Sequence, residues 1–255
     1  TSSSPRTSVT ANAEAQDRAG TDVAKSVLLA LAGEFVPDAV NVSGGPVGEE
    51  VAPWLELVRK LGLLAGTLSP EAVQNVQVVV SGELSAENTD ILGLAALRGL
   101  FSASSDEPVT FVNAPKLAEQ RGVTVEVEKV SEATTHRSAV EVRAVAPDGH
   151  VTSVAGALTG LQQVEKIVNI NGRSFDLRAE GHNLIVHYQD RPGVLGTLGT
   201  VLGNASIDIQ AAALSQDAEG PGATVILRVD RVVGDAEVGQ ITEALDARVA
   251  QVDLS

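Results

Sequence analysis

Hydrophobic residues at helical spacing mark the first part of the chain. Val23, Val27 and Ala30 recur at the i, i+4 and i+7 positions of an amphipathic helix, so we predict a helix over Ala13–Leu31. The next apolar segment, Phe35–Val42, contains a proline, which cannot continue a helix and favours extended backbone before it. We therefore predict an extended segment there, followed by a Gly-Gly-Pro linker.

Residues 47–179 combine helical and strand periodicities. Heptad-like spacing predicts a helix over Glu49–Leu64, an apolar run predicts a second over Asp90–Leu100, and an Asn cap with a following proline predicts a short helix over Asn113–Glu119. The predicted strands are Val73–Val80, Val123–Val130, Ala139–Ala146, Val151–Leu158 and Glu165–Ile170. Asp148-Gly149 is typical of a hairpin turn. The pattern predicts an α+β domain with an antiparallel sheet.

Residues 181–255 show a simpler order of elements. The strand Asn183–Tyr188 alternates its side chains between two faces, and an apolar helix face follows from about Pro192. The remaining predicted elements are the strands Ile207–Ser215 and Ala223–Val229, the helix Ala236–Ala247 and the strand Arg248–Leu254. This order, β-α-β-β-α-β, is the ferredoxin-like plan.

Charge and residue usage exclude several functions. The chain has 18 Lys and Arg residues against 33 Asp and Glu residues, a formal net charge of −15, which disfavours binding to nucleic acids or anionic membranes. It has no Cys, so it forms no disulfide, thiolate metal site or Fe–S cluster, and this usage agrees with a cytoplasmic location. Its four His residues show no metal-ligand spacing, so we expect no metal site. Because residue 1 is Thr and Met is absent, we expect a piece of a longer product.

One strand-to-helix turn has chemistry suited to a small ligand. Tyr188 ends a strand, and Asp190, Pro192 and Gly193 follow it. The unpaired N–H groups at the start of the next helix favour a carboxylate, whereas Asp190 can accept hydrogen bonds from an ammonium group. Together these groups suit a zwitterionic amino acid. The alternative is an ordinary capped turn.

Several segments resemble one known family. Asn183–Gly196 resembles the opening of an ACT domain, a small-molecule regulatory module. Ala13–Ala24 resembles the helix that closes the catalytic part of D-3-phosphoglycerate dehydrogenases, and Phe35–Val42 resembles the segment after it. Lys166–Ala179 resembles the join between the intervening and ACT domains in the long form of that enzyme. The resemblance covers residues 13–255.

This resemblance implies an organisation into three parts. Residues 1–44 would be a remnant of the catalytic domain, residues 45–180 an intervening allosteric substrate-binding domain, and residues 181–255 an ACT regulatory domain. The implied fold is α+β, ending in a ferredoxin-like βαββαβ unit. The family also implies a homo-oligomer that pairs through its ACT domains, with the ACT sheet edge and the helix Ala13–Leu31 as candidate contacts.

The resemblance further implies a site for L-serine between paired ACT domains. The matching positions are Tyr188, Asp190 and Asp208. Asp208 departs from the family pattern, which has Asn there. An Asn amide can donate to the serine carboxylate, whereas an ionised Asp repels it, so this departure weakens the expected affinity.

A second implied site is cationic. Lys166, Arg178 and Arg228 match family positions that bind a phosphorylated, substrate-like anion between the intervening and ACT domains. Guanidinium groups suit phosphate because they donate two parallel hydrogen bonds. The alternative is a set of ordinary surface ion pairs with the many carboxylates. Arg173 also matches the family, although its neighbour Ser174 stands where a relative can have His.

The family's catalytic parts have no counterpart in this sequence. The nucleotide domain that holds NAD and the catalytic Arg, Glu and His are missing, so we expect no cofactor and no dehydrogenase activity from the chain alone. One codon choice for Ser2–Val9, read one base earlier, encodes VVVTPHLG, which resembles the catalytic-His segment. We therefore interpret residues 1–12 as a frame-shifted form of that segment.

Two alternatives stay open at this stage. One is a free-standing ACT-type regulatory protein that binds an amino acid without an enzymatic parent chain. The other is the regulatory half of a serine dehydratase, whose β domain resembles the intervening domain.

Overall fold

The computed structural model describes residues 47–132, 135–217 and 220–255, together with Val23, Ser26 and Val27. These three residues are helical, as predicted for this part of Ala13–Leu31. The rest of that helix and the predicted extended segment Phe35–Val42 lie outside the described residues. Across the three ranges, no helix is both long enough and apolar enough to cross a membrane.

Helices and strands follow each other in the expected order. The helices are α1 (Trp54–Leu68), α2 (Asp90–Ser102), α3 (Ala114–Arg121), α4 (Val194–Asn204) and α5 (Asp235–Leu245), with a 3₁₀ helix at Glu83–Ala86. The strands are β1 (Asn75–Gly82), β2 (Thr124–Val130), β3 (Ser138–Val145), β4 (Val151–Thr159), β5 (Val164–Ile170), β6 (Arg173–Arg178), β7 (His182–Gln189), β8 (Ile209–Gln216), β9 (Gly222–Val229) and β10 (Arg248–Asp253).

The first sheet has six strands in the order β2-β1-β3-β4-β5-β6. The prediction of an antiparallel sheet is correct for four strand pairs and wrong for one, because β1 and β2 run parallel. The helices α2 and α3 lie between these two strands in the sequence, and such a crossover returns the chain in the same direction. The predicted Asp148-Gly149 turn joins β3 to β4, and Gly149 has a left-handed φ of 89°.

Two predicted helix starts are wrong for local reasons. The helix predicted over Glu49–Leu64 begins only at Trp54, because Pro53 has no N–H and occupies the N-cap position. The helix predicted from about Pro192 begins two residues later, at Val194, because the N-cap residue Gly193 has a φ of 94°, outside the helical region.

The two longest helices of the first domain pack in close contact. A Cβ atom on Gly99 of α2 would overlap the backbone oxygen of Arg59, and one on Gly62 of α1 would overlap the backbone oxygen of Ala96. Glycine at these positions lets the two backbones approach each other directly. The pair α1 and α2 then covers one face of the first sheet, with Leu61 fully buried.

The second sheet is antiparallel, in the order β10-β7-β9-β8, and confirms the predicted βαββαβ plan. One face packs against α4 and α5, where Val186, Leu227, Leu198 and Ile241 are buried together. The alternate residues of the same strands face the other way and join the core of the first domain. These buried residues include Ile185, Ile226 and Val252, which belong to the same apolar cluster as α1.

The connection between the sheets is shorter than predicted. Lys166–Ala179, which we interpreted as the join between domains, instead contributes the β5–β6 hairpin of the first sheet, with its turn at Asn171-Gly172. Only Ala179, Glu180 and Gly181 lie between β6 and β7. The backbone N–H of Ala179 still donates to Glu165, so Glu180-Gly181 is the actual connection.

Candidate functional site

Basic residues from both sheets converge on this short connection. Lys166 on β5 and Arg178 on β6 are directly opposite each other across the strand pair. Arg228 lies on β9 of the second sheet and forms an ion pair with Glu180, which follows two residues after Arg178. The three residues predicted to form an anion site therefore come from two separate sheets and lie around one connecting segment.

Each ion pair in this cluster joins a more buried cation to a more exposed carboxylate. The Nζ of Lys166 lies 2.5 Å from Oδ1 of Asp176, and Nη1 of Arg228 contacts Oε1 of Glu180. The Arg228 side chain is 18% exposed, whereas that of Glu180 is 49% exposed. The Nε of Arg228 is buried and has no hydrogen-bond partner within the described ranges. The guanidinium therefore holds one donor that its present carboxylate partner does not use.

A buried lysine behind the cluster was not predicted. Lys60 lies on the inner face of α1, where its Nζ donates to Oε2 of Glu165 at 2.7 Å and to the backbone oxygen of Ala179 at 2.9 Å. Glu165 immediately precedes Lys166, and Ala179 immediately follows Arg178. Lys60 therefore anchors β5 and the end of β6 to the helix that supports both sheets. Its position among the Leu residues of α1 was the only local signal.

The turn predicted to bind an amino acid lies between β7 and α4. Tyr188 is buried in the core of the second sheet, and this burial raises the pKa of its hydroxyl. Asp190 is exposed at the end of β7, where its Oδ2 accepts from Nε2 of Gln216 at 2.5 Å and its N–H donates to Pro221. Gln216 was not predicted, because it reaches the turn from the end of β8.

Asp208 lies at the opposite end of the same sheet. It precedes β8, and the register pairs Ile209 with Val229 and Val229 with His182, the first residue of β7. Tyr188 lies near the other end of that strand and Asp190 follows it, roughly 20 Å away at the usual rise per residue. Within one chain, Asp208 is therefore not brought to the other two predicted serine-site residues. Its backbone instead pairs with Asp230.

A cleft of about 730 Å³ is lined by residues of both sheets, beside their shared apolar core. Arg173 of β6 lines it and forms an ion pair with Asp217, just after β8. His187, predicted only as a strand residue, also lines the cleft and shares a 3.0 Å hydrogen bond between its Nδ1 and Oγ1 of Thr224. Burial lowers the pKa of His187, and the nearby charges of Arg173 and Arg248 lower it further.

The described residues do not fit a dinucleotide cofactor. Within the three described ranges, β1 and β2 form the one parallel strand pair, so this crossover is the place to test. A dinucleotide site needs a Gly-rich turn and a helix N-terminus facing the pyrophosphate after the first strand. Here Gly82 is followed by Glu83, whose carboxylate lies in the first turn of the 3₁₀ helix and would repel a phosphate.

Fold and site together define a class of protein. The βαββαβ sheet with two helices on one face is an ACT domain, a type of module that generally binds amino acids, and here it is docked on a second α+β domain. Residues 50–171 match the family model described as the D-3-phosphoglycerate dehydrogenase intervening domain, and residues 182–250 match the ACT domain model. The chain belongs to the D-3-phosphoglycerate dehydrogenase family and corresponds to its C-terminal, regulatory part.

Relatives in several organisms support the assignment. The chain is 64% identical over 244 residues to D-3-phosphoglycerate dehydrogenase of Mycobacterium tuberculosis, covering 95% of this chain and 46% of that protein. It is 59% identical to the Mycobacterium leprae protein of the same name, with the same coverage. For the Archaeoglobus fulgidus protein the identity is 29% over 234 residues, covering 91% of this chain and 44% of the relative. The chain thus spans about half the length of the curated relatives it matches.

Proposed function

We propose that this chain is the effector-binding region of a cytoplasmic, NAD-dependent D-3-phosphoglycerate dehydrogenase, which carries out the first step of L-serine biosynthesis. In this proposal the region binds a phosphorylated anion at the connection between its domains and L-serine between paired ACT domains. Residues 1–44 derive from the end of the catalytic domain. The chain alone has no dehydrogenase activity, since its described residues do not fit the cofactor.

The convergence of Lys166, Arg178 and Arg228 on one connecting segment carries the proposal. An anion held by these residues contacts β5 and β6 of the first sheet and β9 of the second at the same time. Its binding free energy therefore depends on how the two sheets are placed relative to each other. A ligand with different affinities for two placements shifts the equilibrium between them, which is the basis of allosteric regulation.

Calorimetric titration with 3-phosphoglycerate tests the anion site directly. We expect Arg178→Gln and Arg228→Gln each to weaken binding by about tenfold, the usual loss for one charge-assisted hydrogen bond. Arg121→Gln is the matched control, because Arg121 is an exposed arginine on α3 that contacts Ser104 and Phe101 instead of the cluster. Equal affinities for all four proteins would contradict the proposed site.

Paired ACT domains would complete the serine site. β8 is an edge strand of the second sheet, and its side chains Ile209 and Leu214 are exposed. Antiparallel pairing of β8 with β8 of a second copy would bring the start of one strand, at Asp208, beside the end of the other, at Gln216 and its partner Asp190. Two copies would thus bring together the residues that one chain separates.

A further inference from the structure

We propose that Glu180 is a built-in competitor for the anion site, which sets both its affinity and its preference for doubly charged ligands. This inference rests on the proposed anion function and concerns how the site is kept closed when empty.

The backbone around Glu180 is fixed in place. Asn183, which is 1% exposed, donates from its Nδ2 to the backbone oxygens of Glu180 at 3.0 Å and Gly181 at 2.7 Å. The same residue is the cross-strand partner of Arg228 in the β7–β9 pair. Asn183 therefore fixes the position from which the Glu180 side chain extends toward Arg228, without contacting the carboxylate.

The Glu180 side chain itself is free to leave. It is about half exposed, and the structure gives its carboxylate a single ion pair, to Nη1 of Arg228. Because the carboxylate end of this ion pair is about half exposed, water can replace Arg228 as its partner at little cost. The aliphatic part of Arg228 lies near Gly181, where an added Cβ would be 3.6 Å from its Cδ. The guanidinium can therefore stay near the connection when the carboxylate turns away.

Because a ligand must displace Glu180, the charge of the ligand decides how well it binds. A monocarboxylate that replaces Glu180 brings the same single charge to Arg228, so little is gained by the exchange. A phosphate dianion, the main form of a phosphate monoester at pH 7, interacts more strongly with the three cations together. It also offers enough oxygen atoms to accept from the Arg228 Nε that Glu180 leaves unused. Glu180 thus excludes monoanions and admits dianions.

Titration of the full chain with inorganic phosphate and with acetate tests this inference, at pH 8, where inorganic phosphate is mainly the dianion. We expect Glu180→Gln to bind phosphate about fivefold more tightly than the unmodified chain, the upper range for release of an ion pair whose carboxylate is exposed. We also expect Glu180→Gln to bind acetate measurably and the unmodified chain to show no measurable acetate binding. The double variant Glu180→Gln with Arg228→Gln should lose both effects.

A matched control separates contact from overall charge. Asp253→Asn removes one negative charge from β10, where Asp253 is the cross-strand partner of His182 and does not contact Arg228. The phosphate affinity of this variant should therefore change less than twofold. Unchanged phosphate affinity in Glu180→Gln, together with loss of binding in Arg228→Gln, would overturn the competitor role and leave the anion site in place. Equal gains in Glu180→Gln and Asp253→Asn would also overturn it. Absence of phosphate binding in both the unmodified chain and Glu180→Gln would overturn the inference and the anion site together.

Discussion

Arg173 on the last strand of the first sheet forms an ion pair with Asp217, just beyond the β8 strand of the second sheet. Both side chains are about four-fifths buried, at 19% and 20% exposed. The hydrogen bond from Arg173 lowers the pKa of the Asp217 carboxyl, and the same bond raises the pKa of the guanidinium. This contact links the two domains on the side of the cleft.

Removal of one partner should destabilise the chain. Arg173→Gln leaves Asp217 largely buried without its cation, and we expect the free energy of unfolding in urea to fall by about 2 kcal/mol. The exposed pair Arg137–Glu83 is the matched control, and Arg137→Gln should cost less than about 0.5 kcal/mol. A double-mutant cycle with Asp217→Asn should give a coupling energy above 1 kcal/mol. Additive effects of the two substitutions would contradict this role.

The half-buried position of His187 predicts a specific pH dependence. Because burial and neighbouring cations lower its pKa in the folded chain, the unfolded chain binds a proton at a higher pH than the folded chain does. The contribution of neutral His187 to the free energy of unfolding should therefore be fully present above the unfolded pKa of about 6.5 and decrease as the pH falls below it. His187→Gln should make the slope shallower between pH 7 and pH 5. If urea unfolding gives the same slope of free energy against pH for both proteins, His187 contributes nothing to the pH dependence.

Close packing of α1 against α2 predicts a large effect of one methyl group. Gly99→Ala should lower the free energy of unfolding by about 3 kcal/mol, because the Cβ would overlap the backbone of Arg59 and neither helix can move without disturbing the core. Gly199→Ala on α4 is the control, since no atom lies within 4 Å of the added Cβ. That variant should gain up to about 1 kcal/mol from helix propensity. Similar thermal unfolding of the two variants would contradict the packing argument.

The serine site can be tested through its departure from the family. Asp208→Asn replaces a repelling carboxylate with an amide that can donate, so we expect calorimetry to show L-serine binding at least tenfold tighter. The control is Asp246→Asn, which changes the same charge at the C-cap of α5. Tight and equal binding by the unmodified chain and Asp208→Asn would show that the departure is harmless.

Local patterns were sufficient for most of the elements but not for their pairing. Alternation and helix caps predicted the βαββαβ order and the hairpin at Asp148-Gly149, because each depends on neighbouring residues. β6 was missed because its exposed face is polar, which leaves only Phe175 and Leu177 as buried residues. The parallel pairing of β1 with β2 depends on where α2 packs, and no short segment encodes that information.

The candidate site shows the same division. Lys166, Arg178 and Arg228 were found by resemblance, whereas their partners were not. Glu180 meets Arg228 across 48 positions of sequence, and Lys60 meets Glu165 across 105 positions. Contacts over such separations arise from the packing of two sheets on one helix, so neither periodicity nor composition predicts them.

The connection between β6 and β7 has a consequence for how the two domains stay associated. A tether of so few residues confines the ACT domain to a small volume beside α1, which corresponds to an effective concentration of millimolar or more. Docking is then an intramolecular event, and an interface too weak to hold two separate proteins is sufficient here. Any rearrangement driven by an effector is therefore limited to a small displacement of the ACT domain relative to α1, because the connection allows no larger separation.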